Sequence, residues 1–218
     1  MIKNVIRVLV VDDHPIVRRG LCIEINLDKG MQVVGEARDG NEAILLADQL
    51  QPDVILMDLV MPQKNGIEAT AEIIARNPLA KILILTSFSE EDKIFAAIKA
   101  GAFGSILKDK PPEDLLQAIR DIYEDKSHLD SAITRRLVQE AKRGKLSATN
   151  GELTERELTI LQQVVTGDPY KQIANSMGIQ VATVRTHVSN ILRKLDLTNR
   201  SQLVVYAISH HLIDPDSK

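Results

Sequence analysis

The 218-residue sequence has a single cysteine, Cys22, so no disulfide can close within the chain, and no Cys or His stands near it at metal-ligand spacing. A lone cysteine suits a reducing compartment, and on a helical stretch it reads as a small apolar side chain rather than a reactive thiol. No apolar run approaches the ~20 residues of a membrane-spanning helix, and Met1-Ile2-Lys3-Asn4 carries neither a charged leader nor a small-residue cleavage site. The expectation is a cytoplasmic protein with no membrane association. Neither sign of charge dominates: 27 Lys and Arg stand against 30 Asp and Glu, net −3, which excludes a globally basic nucleic-acid binder. Repeats and low-complexity tracts are also lacking, which excludes a fibrous repeat. What remains, 44% hydrophobic and 26% charged residues, is the balance of a globular protein that buries a real core. The length suits two domains of roughly 100–150 residues or less.

Charge is unevenly spread. Residues 1–127 carry net −6, residues 128–150 net +3, and residues 151–218 none. Any contact with DNA must therefore come from a local patch.

From Ile6 to about Tyr123, short aliphatic runs alternate with amphipathic stretches. Ile6 to Val11, Val54 to Met57 and Ile82 to Leu85 are nearly continuous in Val, Ile and Leu, as in strands buried on both faces, with weaker versions at Gln32 to Gly35 and Ser105 to Leu107. Between them apolar residues recur at helical spacing: Ile16, Leu21, Ile25; Ala43, Leu46, Leu50; Ile94, Ala97, Ile98. Five strand-and-helix alternations predict an α/β domain, a five-stranded parallel sheet covered by helices on both faces. Past Asp125 the pattern is helical. A helix is expected at about 131–143 within a linker at 128–150, whose end, Gly144 to Gly151, has turn composition. An all-α domain of four helices is expected over 151–218, opened by Thr154 and Glu157 in capping-box spacing.

In an open parallel sheet, ligands sit beyond the carboxyl ends of the strands. Those ends here carry Asp12 and Asp13, Asp58, Thr86 and Ser87, and Lys108. Converging carboxylates repel unless a cation offsets them, and Mg²⁺ suits such a set because it takes few carboxylates and leaves room for phosphate oxygens. One carboxylate can then act as nucleophile toward a phosphoryl group, with Lys108 balancing charge and the Thr86 hydroxyl donating to it. The plainer alternative is that each Asp caps a helix or faces solvent.

Val11-Asp12-Asp13-His14, Met57 to Pro62 with Gly66, Leu85-Thr86-Ser87 and Lys108 resemble the signature of two-component receiver domains, over about residues 5–124. The resemblance implies the flavodoxin-like strand order 2-1-3-4-5, phosphorylation of Asp58 by a sensor histidine kinase, and Mg²⁺ held by Asp13, Asp58 and the Val60 carbonyl with Asp12 assisting. Thr86 and Lys108 would read the phosphate. Such receivers place an aromatic residue three before the lysine as part of the switch; this chain has Ser105, leaving Phe88 or Phe103 as candidates to replace it.

In the helical part, Gly178 marks a tight turn between two helices, and Val184, Val188, Ile191 and Leu195 form one apolar stripe of the second. Its other face carries Arg185, Thr186, Ser189 and Arg193, with Ala182 near its start. From Gln180 to Lys194 there are three basic residues and no acid, the local patch that DNA binding would need. A solvated amphipathic face is the alternative. Leu153 to Glu157, Gly167, Lys171 to Ala174, Thr183 to Val188, Lys194-Leu195 and Arg200 resemble the LuxR-type helix-turn-helix over residues 151–213, so the whole chain is similar to the NarL/FixJ group of response regulators. This implies base contacts from Arg185, Thr186 and Ser189 in the major groove and phosphate contacts from Lys171, Thr183 and Arg193. His187 reads as packed rather than as a ligand. Pro169-Tyr170 departs from the group's usual residues but fits a first helical turn.

The implied function is a phosphorylation-switched transcription factor that is not an enzyme beyond its own phosphorylation and dephosphorylation. Its implied partners are a sensor histidine kinase, promoter DNA and a second copy of the chain on phosphorylation, with RNA polymerase as a further contact. Leu203, Val204, Ala207 and Ile208 would form the dimer face, or else complete a small core. Two other readings stay open: a DNA-binding regulator with a phosphorylation-independent receiver, and an Asp-nucleophile phosphatase.

Overall fold

A computed structural model describes residues 5–86, 91–126, 153–166, 168–197 and 200–209, with isolated positions between 128 and 139. The chain divides into two compact units, Met1–Tyr123 and Glu124–Lys218. The helix expected at about 131–143 lies almost wholly outside the described residues.

The first unit is built on strands β1 (Ile6–Val11), β2 (Met31–Ala37), β3 (Val54–Asp58), β4 (Ile82–Thr86) and β5 (Gly104–Leu107). All pairs are parallel, in the order β2-β1-β3-β4-β5. Every residue of β3 and β4 is buried, which explains their unbroken aliphatic sequences. Strand β2, at one edge, exposes Gln32 and Glu36 and is correspondingly less apolar.

Five helices wrap this sheet: α1 (Pro15–Leu27), α2 (Gly40–Leu50), α3 (Gly66–Arg76), α4 (Glu91–Ala100) and α5 (Pro112–Tyr123). On one face, Cys22 and Ile25 of α1 and Leu115, Ala118, Ile119 and Ile122 of α5 pack on Val8, Val10, Leu56, Leu83 and Leu85. Helices α2, α3 and α4 form a neighbouring row against the other face. Cys22 is buried, and burial pushes its thiol up to about 11, in keeping with a packing role. Within α1, Ile25 and half-buried Leu21 face inward as expected, but Ile16 is 89% exposed. It lies in the helix's first turn, beyond the sheet's edge, where periodicity alone misplaces it.

The second unit contains α6 (Glu155–Val165), α7 (Tyr170–Met177), α8 (Val181–Lys194) and α9 (Arg200–Ser209). Thr154 caps α6 in a capping box with Glu157, and the buried Glu157 also reaches Lys194 Nζ at 2.7 Å, tying α6 to the end of α8. Gly178, at φ 66°, ends α7 in the left-handed conformation that a tight turn into α8 requires. Pro169 stands at the N-cap of α7 rather than inside its first turn. Val184, Val188, Ile191 and Leu195 are all buried, together with Leu203 and Ala207 of α9. Arg200, also buried, donates to the carbonyls of Val164 (2.9 Å) and Asp168 (3.1 Å) and lies over the Tyr170 ring, pinning the turn before α7. Among the described residues no helix is long and apolar enough to cross a membrane.

Candidate functional site

Parallel pairing carries the C-terminal ends of β1, β3, β4 and β5 to one rim of the sheet. Asp12 and Asp13 follow β1, Asp58 and Thr86 end β3 and β4, and Lys108 follows β5, its amide donating to the Thr86 carbonyl at 2.8 Å. The structure thus brings the five strand-end residues of the sequence reading to one edge. Lys108 Nζ lies between two carboxylates, 2.9 Å from Asp12 Oδ2 and 2.8 Å from Asp58 Oδ2. Asp12, Asp58 and Thr86 are buried, and Asp13 is half-buried toward solvent. One ligand atom from each of Asp12, Asp13, His14 and Asp58 lies within 4.8 Å of the others.

The loop after β3 shapes the floor. Asn65 caps α3 in a capping box with Glu68, and Gly66 packs so closely that a Cβ there would meet the Asp58 carbonyl oxygen at 2.0 Å. Only glycine lets α3 start against the strand that carries Asp58.

The electrostatics are those of a site short of positive charge. Burial raises the Asp58 carboxyl above the ordinary carboxylate value; Lys108 and the Val60 amide work against that rise, and Asp12 adds to it. Lys108 loses from burial but gains more from Asp58 and Asp12, so its ammonium is held above its ordinary value. Three carboxylates against one ammonium leave two negative charges. Moreover, Asp13 Oδ1 is buried without a hydrogen-bond partner. Both observations fit a divalent cation with oxygen ligands.

Other expected residues fare differently. At Val60 it is the amide that faces Asp58. Ser105 sits half-buried within β5. Phe103 precedes β5, at the end of the strand away from the rim, and packs in the core, so it does not stand in for a switching aromatic. Phe88 lies outside the described residues. His14 was not among the expected site residues; a lone His after two acids has no spacing that marks it.

On the second unit, Ala182, Thr183, Arg185, Thr186 and Arg193 are exposed on α8, Lys171 is exposed on α7, and Ser189 and His187 are half-buried. The Thr186 hydroxyl donates back to the Ala182 carbonyl at 3.0 Å. Leu203 and Ala207 are fully buried in the domain's own core, which corrects their assignment to a dimer face: neither side chain is accessible to a second copy. Val204 is half-buried at the core's edge, and the Ile208 side chain lies outside the described residues.

A sheet of order 2-1-3-4-5 with this acidic rim is the architecture of a receiver domain. Residues 8–120 match the family described as response regulator receiver domain, and residues 151–207 match bacterial regulatory proteins of the luxR family. The chain is 40% identical over 210 residues to the transcriptional regulatory protein LiaR of Bacillus subtilis, covering 96% of this chain and 100% of that protein. It is 42% identical over 209 residues to the response regulator protein VraR of Staphylococcus aureus, covering 95% and 99%. Among solved structures, the response regulator ChrA of a heme-sensing two-component system matches with a TM-score of 0.52 and 34% identity over 96% of this chain and 100% of that one. RcsB, solved as two dimers bound to two parallel DNAs, matches at 0.55 and 25% over 94% and 99%. The chain belongs to the response regulators that join a receiver domain to a LuxR-type helix-turn-helix domain. Proteins of this kind regulate transcription and are not enzymes of metabolism.

Proposed function

We propose that Asp58 accepts a phosphoryl group from a sensor histidine kinase and that the modified receiver controls binding of promoter DNA by α8. The observation that carries the reading is the Lys108 ammonium bridging Asp12 and Asp58 at one rim with Thr86 beside them. The Asp58 carboxylate attacks phosphorus, the N–P bond to the kinase histidine breaks, and an acyl phosphate forms; the imidazole leaves with the bonding pair and is reprotonated. Lys108 moves from the carboxylate to the new phosphoryl oxygens, and the Thr86 hydroxyl donates to another. Attack by water on the acyl phosphate returns Asp58 to its carboxylate. Asp13, Asp58 and the Val60 carbonyl would hold Mg²⁺, with Asp12 assisting, and the ion would neutralise charge on the phosphoryl oxygens.

The exposed face of α8 supports the output: Arg185, Thr186 and Ser189 read bases in the major groove, while Lys171, Thr183 and Arg193 hold phosphates. RcsB binds DNA as a dimer; by likeness, this chain dimerises on phosphorylation and meets a two-fold symmetric site. The domains run over 1–127 and 151–218 with a linker at 128–150, and the protein works in the cytoplasm. The test is a gel shift on DNA upstream of the chain's own gene, with and without Mg²⁺ and a small phosphodonor. Phosphodonor should tighten binding of the unsubstituted protein and leave Asp58→Ala unchanged; an equal response in both contradicts the proposal.

A further inference from the structure

We propose that His14 is a ligand of the acidic site and gives it a preference for divalent transition metals over Mg²⁺. The inference rests on the reading that this rim holds a divalent cation, and it adds a nitrogen donor to the oxygen set.

His14 precedes α1, and its backbone amide donates to Asp12 Oδ1 at 2.8 Å, which fixes the point from which the ring projects. Its Nδ1 lies 2.7 Å from Asp13 Oδ1 and 3.7 Å from Asp12 Oδ1. The short contact is not an aligned hydrogen bond, since Asp13 Oδ1 has no hydrogen-bond partner. Two donor atoms facing the same space at that separation are spaced like neighbouring ligands of one ion: on an octahedral centre with bonds of about 2.1 Å, adjacent ligands lie about 3 Å apart. Lys108 already occupies Asp12 Oδ2 and Asp58 Oδ2, so the uncommitted donors are those of Asp13 and His14. The His14 side chain is 69% exposed, so it reaches the rim from the solvent side, where an arriving ion sheds water.

The consequence is chemical. Carboxylates and carbonyls alone suit Mg²⁺, whereas an imidazole favours Co²⁺, Ni²⁺ and Zn²⁺. One divalent ion also cancels the two negative charges that Lys108 leaves uncompensated.

The test is equilibrium titration of the full chain with Co²⁺ alone and with Mg²⁺ alone, by visible absorption for Co²⁺ and calorimetry for both. His210 and His211 are first changed to Ala, because that adjacent pair offers imidazoles of its own. In this background Co²⁺ should bind at least about tenfold tighter than Mg²⁺; His14→Asn should weaken Co²⁺ by about tenfold or more while changing Mg²⁺ less than about twofold, and Asp13→Asn should weaken both. Co²⁺ affinity unchanged in His14→Asn, with Mg²⁺ still binding, overturns the ligand role alone. No binding of either ion to the background protein overturns the cation site itself, and this proposal with it.

Discussion

Asp58 is pulled in opposite directions: burial favours its neutral form, while Lys108 and the Val60 amide favour its charge, and burial prevails. A carboxyl whose folded value is raised contributes stability that is full below the ordinary carboxylate range and is lost as pH rises through the folded value. Asp58→Asn should therefore be more stable than the unsubstituted protein at neutral pH, with the gap closing toward about pH 4; urea denaturation at both pH values measures this, and a less stable variant at neutral pH contradicts it. Arg185, exposed on α8 and outside the domain core, is separable from folding. Arg185→Ala should weaken specific DNA binding by about 1–3 kcal/mol, roughly 10- to 100-fold, with phosphoacceptance unchanged; retained affinity in gel shifts would show that α8 is not the reading helix. At this scale the sequence was most informative where aliphatic runs give way to polar ones, because the ends of buried strands are also the rim: Asp12, Asp58, Thr86 and Lys108 were legible for that reason. His14 was not, since nothing in its spacing distinguishes it. Leu203 and Ala207 were misjudged because an apolar helix face shows only that it is covered, not by what.

Elements were legible in proportion to their burial. Strands β1, β3 and β4 were found to within a residue of their bounds, while edge strand β2 runs three residues beyond Gln32–Gly35 because its half-exposed sequence blurs its limits. The capping box at Thr154 and Glu157 was visible as a local pattern; the pairing of Glu157 with Lys194, 37 residues on, was not, because contact between α6 and α8 belongs to the tertiary fold. Burial opposes the charge on Glu157, but Lys194 and Thr154 hold its carboxyl below the ordinary value. That contribution is present above the ordinary carboxylate range and is lost as pH falls through the folded value. Glu157→Ala should cost about 1–2 kcal/mol at neutral pH and less in acid, as read from thermal melts at each pH; an equal cost at both would assign the loss to packing. At the start of α3, Gly66→Ala drives a methyl into the Asp58 carbonyl. It should destabilise the receiver by on the order of 3 kcal/mol and slow phosphorylation, whereas a variant of unchanged stability would mean that the β3–α3 junction yields freely.

Over the whole molecule, function follows from a division of charge. The acidic excess falls in the unit that carries the rim, and a local run of three basic residues marks α8 within an otherwise neutral region. An overall net charge of −3 conceals both, so the regional count was the more useful guide to two coupled activities. Strand order and rim geometry were anticipated from the receiver resemblance, whereas the internal pinning of the second unit by Arg200 emerged only from the folded arrangement. The central claim is that Asp58 alone takes the phosphoryl group. Intact mass after incubation with Mg²⁺ and a small phosphodonor tests it most directly: the unsubstituted chain should gain one phosphoryl group and Asp58→Ala none, whereas equal labelling of that variant would contradict the account.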